Sequence, residues 1–396
     1  MLPRRPASFP ERSPLPPARG SSTPDHGGRL LIVAGTRPEC IKLVPIIRVL
    51  ATRTHFETIL VNSGQHRDAV TRMLADFGIE CHTSAAQLPP AANLHDSSES
   101  LRAALRSIIV NVQPAMIIVQ GDTLTAYAGA RAGSDLQIPV AHIEAGLRAR
   151  SASDPFPEEW FRRRIARHAS IHFAPCDSAH ANLLAEGIDP PAIHRVGNTG
   201  IDTLRTLLSE NPHFLAPPAT RRTRILVTLH RRENWDGKAD IICDALIAIA
   251  RLRSDLELVI PLHPNPRIAP RIRRRLEGKR GFDLVPPMGY RDFIESAASA
   301  ALLISDSGGI QEEVPHLGVP LLVPRSCTER PEGVATGFVR LVTVDEDMIV
   351  REALEMLDAP RRNALPFNDE APFGAGDAAT RIVDVLERVG MNAMAL

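Results

Sequence analysis

Three carboxylates in the first half of the chain stand where side chains gather at the edge of a β-sheet. Asp122 and Glu144 each follow an apolar run typical of a buried strand, and Glu158 follows a Pro-Phe-Pro segment. Carboxylates held close together repel one another, which raises the pKa of some of them and yields groups that exchange a proton near neutral pH. These residues therefore predict acid–base catalysis. For Glu158, the alternative is a surface ion pair with Arg162, worth only ~0.3–0.5 kcal/mol.

A phosphate site is predicted in the second half. Ser307, Gly308 and Gly309 lie between an apolar run and a segment of helical character from Ile310 to Leu317. Glycines let a ligand approach the backbone closely, and the N–H groups of a helix N-terminus favour an anion by up to ~2 kcal/mol. Pyrophosphate fits this arrangement, and a plain Ser-Gly helix cap is the alternative. The cations that could assist are His230, Arg231, Arg232, Arg37 and Lys42.

A further carboxylate, Glu313, lies in the same predicted helix. It could accept hydrogen bonds from the hydroxyl groups of a ribose. The alternative is an ordinary carboxylate on a helix surface.

Motifs that define several other enzyme classes are absent. The chain has no Gly-x-Gly-x-x-Gly after its first strand, no P-loop and no His-Glu-x-x-His. Neither Tyr127 nor Tyr290 is followed four residues on by lysine, as the tyrosine of NAD-dependent sugar epimerases and reductases is. These absences remove most of the support for redox chemistry, and no metal site is predicted.

Parallel β-sheets must position these residues. From Arg29 onward, short β-branched runs alternate with longer amphipathic stretches, which is the pattern of βα units. In open α/β sheets, ligands bind beyond the carboxyl ends of the strands, where the polar residues named above fall. The sequence predicts two doubly wound, Rossmann-like domains with a polar ligand in the cleft between them. The predicted strands are 29–35, 57–64, 115–122, 139–146, 170–175 and 193–198, then 224–230, 256–263, 282–287, 301–307, 320–325 and 339–345.

The domain boundaries follow from composition. Residues 1–28 contain seven prolines and no apolar cluster, so this tail is predicted to be disordered. The N-terminal Rossmann-like domain is predicted over 29–200 and the C-terminal one over 201–370, with a Pro-rich stretch near the boundary. A helix within 371–396 is expected to pack back on the N-terminal domain.

Charge and cysteine content exclude other classes. Lys and Arg total 46, as do Asp and Glu, so no net field favours nucleic acid or an anionic membrane. No apolar run approaches the ~18 residues of a membrane span. The five cysteines are widely spaced and predict reduced thiols in the cytoplasm rather than a zinc cluster or a disulfide framework. A small-molecule ligand is the expected partner.

Ten segments, taken in order, closely resemble motifs of bacterial UDP-N-acetylglucosamine 2-epimerases of the non-hydrolysing type. They are GTRPECIKLVPII (35–47), SGQHRD (63–68), QGDTLTA (120–126), HIEAGLR (142–148), PFPEE (155–159), GNTGID (197–202), VTLHRREN (227–234), PLHPNP (261–266), SDSGGIQEE (305–313) and TERPEG (328–333). The resemblance extends over about residues 29–365. It implies two Rossmann-like domains facing each other across a cleft, as in GT-B glycosyltransferases, with no cofactor and a homodimeric assembly.

The resemblance also implies a reaction. Such enzymes invert C2 of UDP-N-acetylglucosamine to give UDP-N-acetylmannosamine for bacterial surface polysaccharides. They eliminate UDP to leave a bound 2-acetamidoglucal, and then add UDP back with the new proton on the opposite face. Proton carriers are needed on both faces.

Roles follow by motif position. Asp122, Glu144 and Glu158 resemble the acid–base carboxylates, and His230 resembles the residue that stabilises the departing phosphate. The implied substrate contacts are Arg37, Lys42, Ser307, Gly308 and Gly309 for phosphate, Phe293 for uracil, Glu313 for ribose, and Arg330 near the sugar and its phosphate. Gln65, His66, Arg231 and His263 resemble a second site at which substrate activates bacterial members.

Departures from the family pattern concern the sugar more than the nucleotide. Phe161 stands where the family usually has asparagine, Met288 replaces a glutamine near the uridine, and one carboxylate is lost at Ser326-Cys327. A 2-epimerase of a related UDP-2-acetamido sugar, such as a 2,3-diacetamido uronic acid, is thus an alternative, as is a hydrolysing epimerase. A GT-B glycosyltransferase and a non-catalytic sugar-nucleotide sensor remain rivals, although the presence of all three acids counts against the sensor.

Overall fold

The computed structural model describes residues 28–53, 56–85, 93–149, 156–215, 223–229, 231, 234–235 and 237–394. The predicted tail lies outside these residues except for Gly28. The chain divides into two compact units. The first ends at Thr203 and also includes the segment from Gly376 onward, and the second is Leu204–Ala375.

A seven-stranded, all-parallel sheet forms the centre of the first unit, in the order β3-β2-β1-β4-β5-β6-β7. Its strands are β1 (Arg29–Ala34), β2 (Glu57–Asn62), β3 (Thr83–Ser84), β4 (Met116–Gln120), β5 (Val140–Ile143), β6 (Ile171–Ala174) and β7 (Ile193–Arg195). Every residue of β4, β5 and β6 is buried, because helices cover both faces of the sheet. β4 accordingly begins with the continuous apolar run Met-Ile-Ile-Val, whereas β5 and β6 each include one buried histidine, His142 and His172.

The helices of the first unit lie between the strands in sequence. They are α1 (Arg37–Thr52), α2 (Arg67–Asp76), α3 (Leu94–Val112), α4 (Leu124–Asp135), α5 (Glu158–His168), α6 (Asp177–Ala185), and α7 (Thr199–Glu210), within which the division between the units falls. α14 (Ala378–Met394) packs against α1. Asp202 accepts hydrogen bonds from the Ala378 and Ala379 amides at 3.1 and 2.8 Å, which satisfies two N–H groups at the start of α14.

The second unit repeats the design with a six-stranded parallel sheet in the order β10-β9-β8-β11-β12-β13. Its strands are β8 (Thr223–Thr228), β9 (Leu256–Pro261), β10 (Phe282–Val285), β11 (Leu302–Ser305), β12 (Leu321–Pro324) and β13 (Val339–Val342). Its helices are α8 (Lys238–Leu252), α9 (Ala269–Leu276), α10 (Tyr290–Ala298), α11 (Gly308–Leu317), α12 (Pro331–Ala335) and α13 (Glu346–Asp358).

The predicted fold class is confirmed, and each of the twelve strands predicted from β-branched runs is present. Most end a few residues earlier than predicted, since the polar residues that close each run belong to the following loop. β3 was not predicted, because Thr83–Ser84 pairs with β2 over only two residues and forms no apolar run. No helix among the described residues is long and apolar enough to cross a membrane.

Candidate active site

Two neighbouring strands place Asp122 and Glu144 at the same edge of the first sheet. Gln120 at the end of β4 lies opposite Ile143 at the end of β5. Glu144 follows β5 directly, and Asp122 comes one residue after Gly121. The Gly121 amide donates to the Ile143 carbonyl at 2.9 Å, which holds the two loops together.

Glu144 is held by a cation and an amide. Lys42 Nζ on α1 lies 2.7 Å from Glu144 Oε1, and the Gln120 side-chain amide donates to Oε2. Both side chains of the ion pair are about nine-tenths buried. The Glu144 backbone has φ +63°, a left-handed conformation that is uncommon outside glycine and is often found at functional sites. Lys42, predicted to contact phosphate, thus lies against a predicted catalytic carboxylate.

Asp122 is linked to α5, the helix that begins with Glu158. Arg162 Nη2 lies 2.5 Å from Asp122 Oδ2, and its Nη1 lies 2.9 Å from Glu159 Oε2. The alternative of an ion pair between Glu158 and Arg162 is not found, since Arg162 pairs with Asp122 and Glu159 and the Glu158 side chain has no ion pair among the described residues. The ion pair between Arg162 and Asp122 therefore joins α5 to the loop that follows β4.

Phe161 turns into the core rather than toward this edge. Its ring centroid lies 5.4 Å from that of Tyr127 and 5.5 Å from that of Trp160, and the side chain is fully buried. The replacement of the family's asparagine by this residue is therefore accommodated by apolar packing.

Glu39 is a buried carboxyl at this edge that the sequence analysis missed. Its Oε2 accepts from the Gly35 amide at 3.0 Å, and its Oε1 accepts from the Thr123 hydroxyl at 2.8 Å. Thr123 also caps α4 and directly follows Asp122. Complete burial raises the pKa of Glu39 from 4.5 to about 7. The available signal was a glutamate among the buried residues of α1, which are apolar apart from Glu39 and Lys42.

The buried Glu39 carboxyl should make stability depend on pH. Its pKa is about 7 in the folded chain and 4.5 without burial, so the folded state binds more protons between these values and stability falls as pH rises through them. We expect the free energy of unfolding to drop by on the order of 3 kcal/mol across this window from this group, and the drop to disappear in Glu39→Gln. Urea unfolding at pH 5 and pH 8 measures it. Glu57→Gln, which removes an exposed partner of Arg29, serves as the control. It should change the free energy of unfolding by the same amount at pH 5 and at pH 8.

In the second unit, the N-terminus of α11 is packed against a guanidinium. A Cβ added to Gly308 would lie 2.6 Å from Arg330 Nη1, so only glycine leaves room for this approach. Ser307 precedes the helix as its N-cap, and its amide donates to Ser305 Oγ at 3.1 Å. The buried Gln311 amide donates to the Ser307 carbonyl at 3.1 Å and fixes the loop from the other side. Gly309 occupies the first turn with open space at its Cβ position.

Glu313 lies beside helix α10, which carries Phe293. The Tyr290 hydroxyl donates to Glu313 Oε1 at 2.8 Å, and burial raises the pKa of this tyrosine well above its usual value. Phe293 is half-buried on the next turn of the same helix. The residues predicted to contact ribose and uracil are therefore presented by neighbouring helices of one unit, and Tyr290 is a supporting residue that the sequence analysis did not identify.

The other predicted residues are divided between the units. His230 lies outside the described residues, as does Arg232. Arg37 is half-buried in the first turn of α1. Of the predicted second-site residues, Gln65 accepts from the Thr125 amide and hydroxyl at 3.1 and 2.7 Å, and His66 is exposed at the start of α2. Arg231 and His263 belong to the second unit.

No group of three or more His, Cys, Asp or Glu among the described residues could hold a metal ion. Acid–base side chains thus accumulate in the first unit, and an anion-favouring helix terminus lies in the second. Each arrangement follows the carboxyl ends of parallel strands.

Comparison with known sequences identifies similar proteins. A family model described as UDP-N-acetylglucosamine 2-epimerase matches residues 48–387. The UDP-N-acetylglucosamine 2-epimerase of Escherichia coli strain K12 is 36% identical over 372 residues, which is 91% of this chain and 98% of that protein. A protein of the same name from Campylobacter jejuni is 33% identical over 371 residues, covering 90% of this chain and 97% of its own length.

Solved structures show the same similarity. The Neisseria meningitidis UDP-GlcNAc 2-epimerase bound to UDP-GlcNAc gives a TM-score of 0.82 at 32% identity, over 91% of this chain and 100% of that one. The Methanocaldococcus jannaschii enzyme in complex with UDP-GlcNAc and UDP gives 0.80 at 31% identity, over 91% and 99%.

Proposed function

Because this chain belongs to the UDP-N-acetylglucosamine 2-epimerase family, we propose that it interconverts UDP-N-acetylglucosamine and UDP-N-acetylmannosamine by eliminating UDP and adding it back. The chain is an epimerase, and its substrate is a UDP-sugar. The observation that carries the non-hydrolysing mechanism is the cluster of carboxylates at the edge of the first sheet, where Asp122 and Glu144 end neighbouring strands beside α5.

The chemistry requires cleavage at C1 before C2 can lose its proton. C2 of an N-acetylhexosamine has no adjacent carbonyl to make its proton acidic. When the C1–O bond breaks and its electron pair leaves with UDP, positive charge develops at C1 and the C2 proton becomes labile. A carboxylate takes that proton, and the electrons of the C2–H bond form the C1=C2 bond of 2-acetamidoglucal. Protonation of C2 from the opposite face, with attack of the UDP oxygen on C1, completes the inversion.

The proposed roles follow from the partners of each acid. Asp122 and Glu144 are paired with Arg162 and Lys42, and such pairs stabilise the carboxylate, the form that accepts a proton. Glu158, at the start of α5, is proposed as the third proton carrier. Three acids thus supply proton carriers for both faces of C2. His230, outside the described residues, is proposed to stabilise the departing phosphate.

The second unit is proposed to hold UDP. Gly308, Gly309 and Ser307 at the start of α11 would receive the diphosphate, with Arg330 beside them. Glu313, Phe293 and Arg37 complete the proposed substrate contacts. We further propose a homodimer in the cytoplasm that supplies precursors of surface polysaccharides, and activation by substrate through Gln65, His66, Arg231 and His263.

Incubation with UDP-N-acetylglucosamine in deuterated water tests the mechanism. Reversible elimination places deuterium at C2 of both recovered UDP-sugars, as observed by NMR. Accumulation of UDP with free N-acetylmannosamine indicates a hydrolysing enzyme instead, and recovery of undeuterated substrate contradicts epimerisation. A parallel incubation with UDP-2,3-diacetamido uronic acid tests whether the departures at Met288 and Cys327 select another sugar. If they do, deuterium should enter C2 of this sugar faster than C2 of UDP-N-acetylglucosamine.

A further inference from the structure

One buried carboxylate in the second unit is shared by three guanidinium groups. Glu329 Oε1 lies 2.6 Å from Arg231 Nη2 and 2.6 Å from Arg330 Nη1, and Oε2 lies 3.2 Å from Arg325 Nη1. The Glu329 side chain has no exposed surface. A charge removed from water in this way is tolerated only because its partners are in place.

Two of these arginines contact the start of α11 and the loop that precedes it. Arg330 lies against the Gly308 backbone, where an added Cβ would come within 2.6–3.2 Å of three guanidinium atoms. Arg231 donates from Nε to the Asp306 carbonyl and from its backbone amide to Asp306 Oδ2, both at 3.1 Å. A single oxygen of Glu329 therefore joins the guanidinium beside the helix to the arginine that holds the preceding loop.

The position of Arg330 is fixed by carboxylates on both edges of its guanidinium. Glu312 Oε1 on α11 accepts from Nε at 2.6 Å, and Glu329 accepts from Nη1. A planar guanidinium recognises phosphate through oriented hydrogen bonds, so its angle relative to the helix amides determines whether both act on one anion.

We propose that Glu329 is a positioning residue for the diphosphate, holding the Arg330 guanidinium over the first turn of α11 so that guanidinium and helix amides bind the same group. This inference rests on the proposed function, in which UDP is the leaving group. Glu329 itself does not touch the substrate. Its effect on UDP binding therefore requires Arg330.

A double-mutant cycle separates this role from a general structural one. UDP dissociation constants are measured by calorimetry for the wild type, Glu329→Gln, Arg330→Gln and the double variant. Arg330→Gln is expected to weaken binding by roughly 10- to 100-fold, as for loss of hydrogen bonds to a charged group. Glu329→Gln should weaken it on the order of 10-fold through misplacement of the guanidinium. Because Glu329 acts through Arg330, the double variant should match Arg330→Gln within about 2-fold.

Glu257→Gln provides the matched control, since Glu257 pairs with the Arg224 guanidinium at 3.1 Å in the same unit and should leave UDP affinity unchanged. Losses that multiply in the double variant overturn the inference, as does wild-type affinity in Glu329→Gln. If circular dichroism shows that Glu329→Gln does not fold, Glu329→Asp replaces it in the double-mutant cycle. Aspartate keeps the charge on a shorter side chain, and the same changes in UDP affinity are expected. Failure of the wild type to bind UDP contradicts the proposed function instead.

Discussion

Glu144→Gln is expected to lower kcat by roughly 10²–10⁴-fold, the range for loss of a general acid–base group. Glutamine preserves the shape of the side chain but cannot accept and return a proton. The affinity for UDP should stay within about 3-fold of wild type, because UDP lacks the C2 proton on which this group acts and the proposed UDP contacts are mainly in the second unit. Initial rates of UDP-N-acetylmannosamine formation and calorimetric UDP titration measure the two quantities.

The loss of charge at Glu144 must be separated from the loss of an ion pair. Glu99→Gln is the matched control, since Glu99 pairs with Arg102 and Arg131 in the same unit at 2.7 and 2.5 Å, away from the strand ends that carry the acids. Its turnover should equal that of the wild type. C2 deuterium exchange should be lost in Glu144→Gln together with turnover. Wild-type exchange in this variant would remove Glu144 from the mechanism.

The sheets were predictable because burial on both faces demands continuous apolar runs, as in β4 and β12. Positions at strand ends were predictable for the same reason, since a run of buried residues must be followed by a polar loop. The position of Asp122 and Glu144 at one edge of the sheet thus follows from the sequence alone. β3 escaped detection because two paired residues leave no periodic signal.

Partners within the site were not predictable. The family resemblance predicts that Lys42 contacts phosphate, but nothing in the sequence predicts its ion pair with Glu144, about 100 residues away. Glu329 lies in TERPEG next to Arg330, but its pairing with Arg231, which is 98 residues away in sequence, depends on the fold. Such pairings depend on tertiary geometry, and local sequence patterns do not encode them.

Glycine at position 308 should be essential for UDP binding. Gly308→Ala would place a methyl group 2.6 Å from Arg330 Nη1 and 2.8 Å from its Cζ, closer than packed atoms lie, so the guanidinium must move away from the helix terminus. We expect UDP affinity to fall by roughly 10- to 100-fold, comparable to loss of a charge-assisted hydrogen bond. Calorimetry with UDP measures this affinity. The double variant Gly308→Ala with Arg330→Gln should not recover the affinity of the wild type, because it lacks the guanidinium altogether.

A second glycine in the same unit separates binding from stability. Gly278 has φ +75° with nothing within 4 Å of an added Cβ, so Gly278→Ala introduces backbone strain without a collision. Such strain costs about 1–2 kcal/mol of stability, and UDP affinity should remain that of the wild type because Gly278 lies in the turn between α9 and β10. If both alanine variants lost the same stability and only Gly308→Ala lost UDP binding, the close approach of Arg330 to the α11 backbone would be the cause. Equal UDP affinity in the two variants would instead show that the diphosphate binds away from the start of α11.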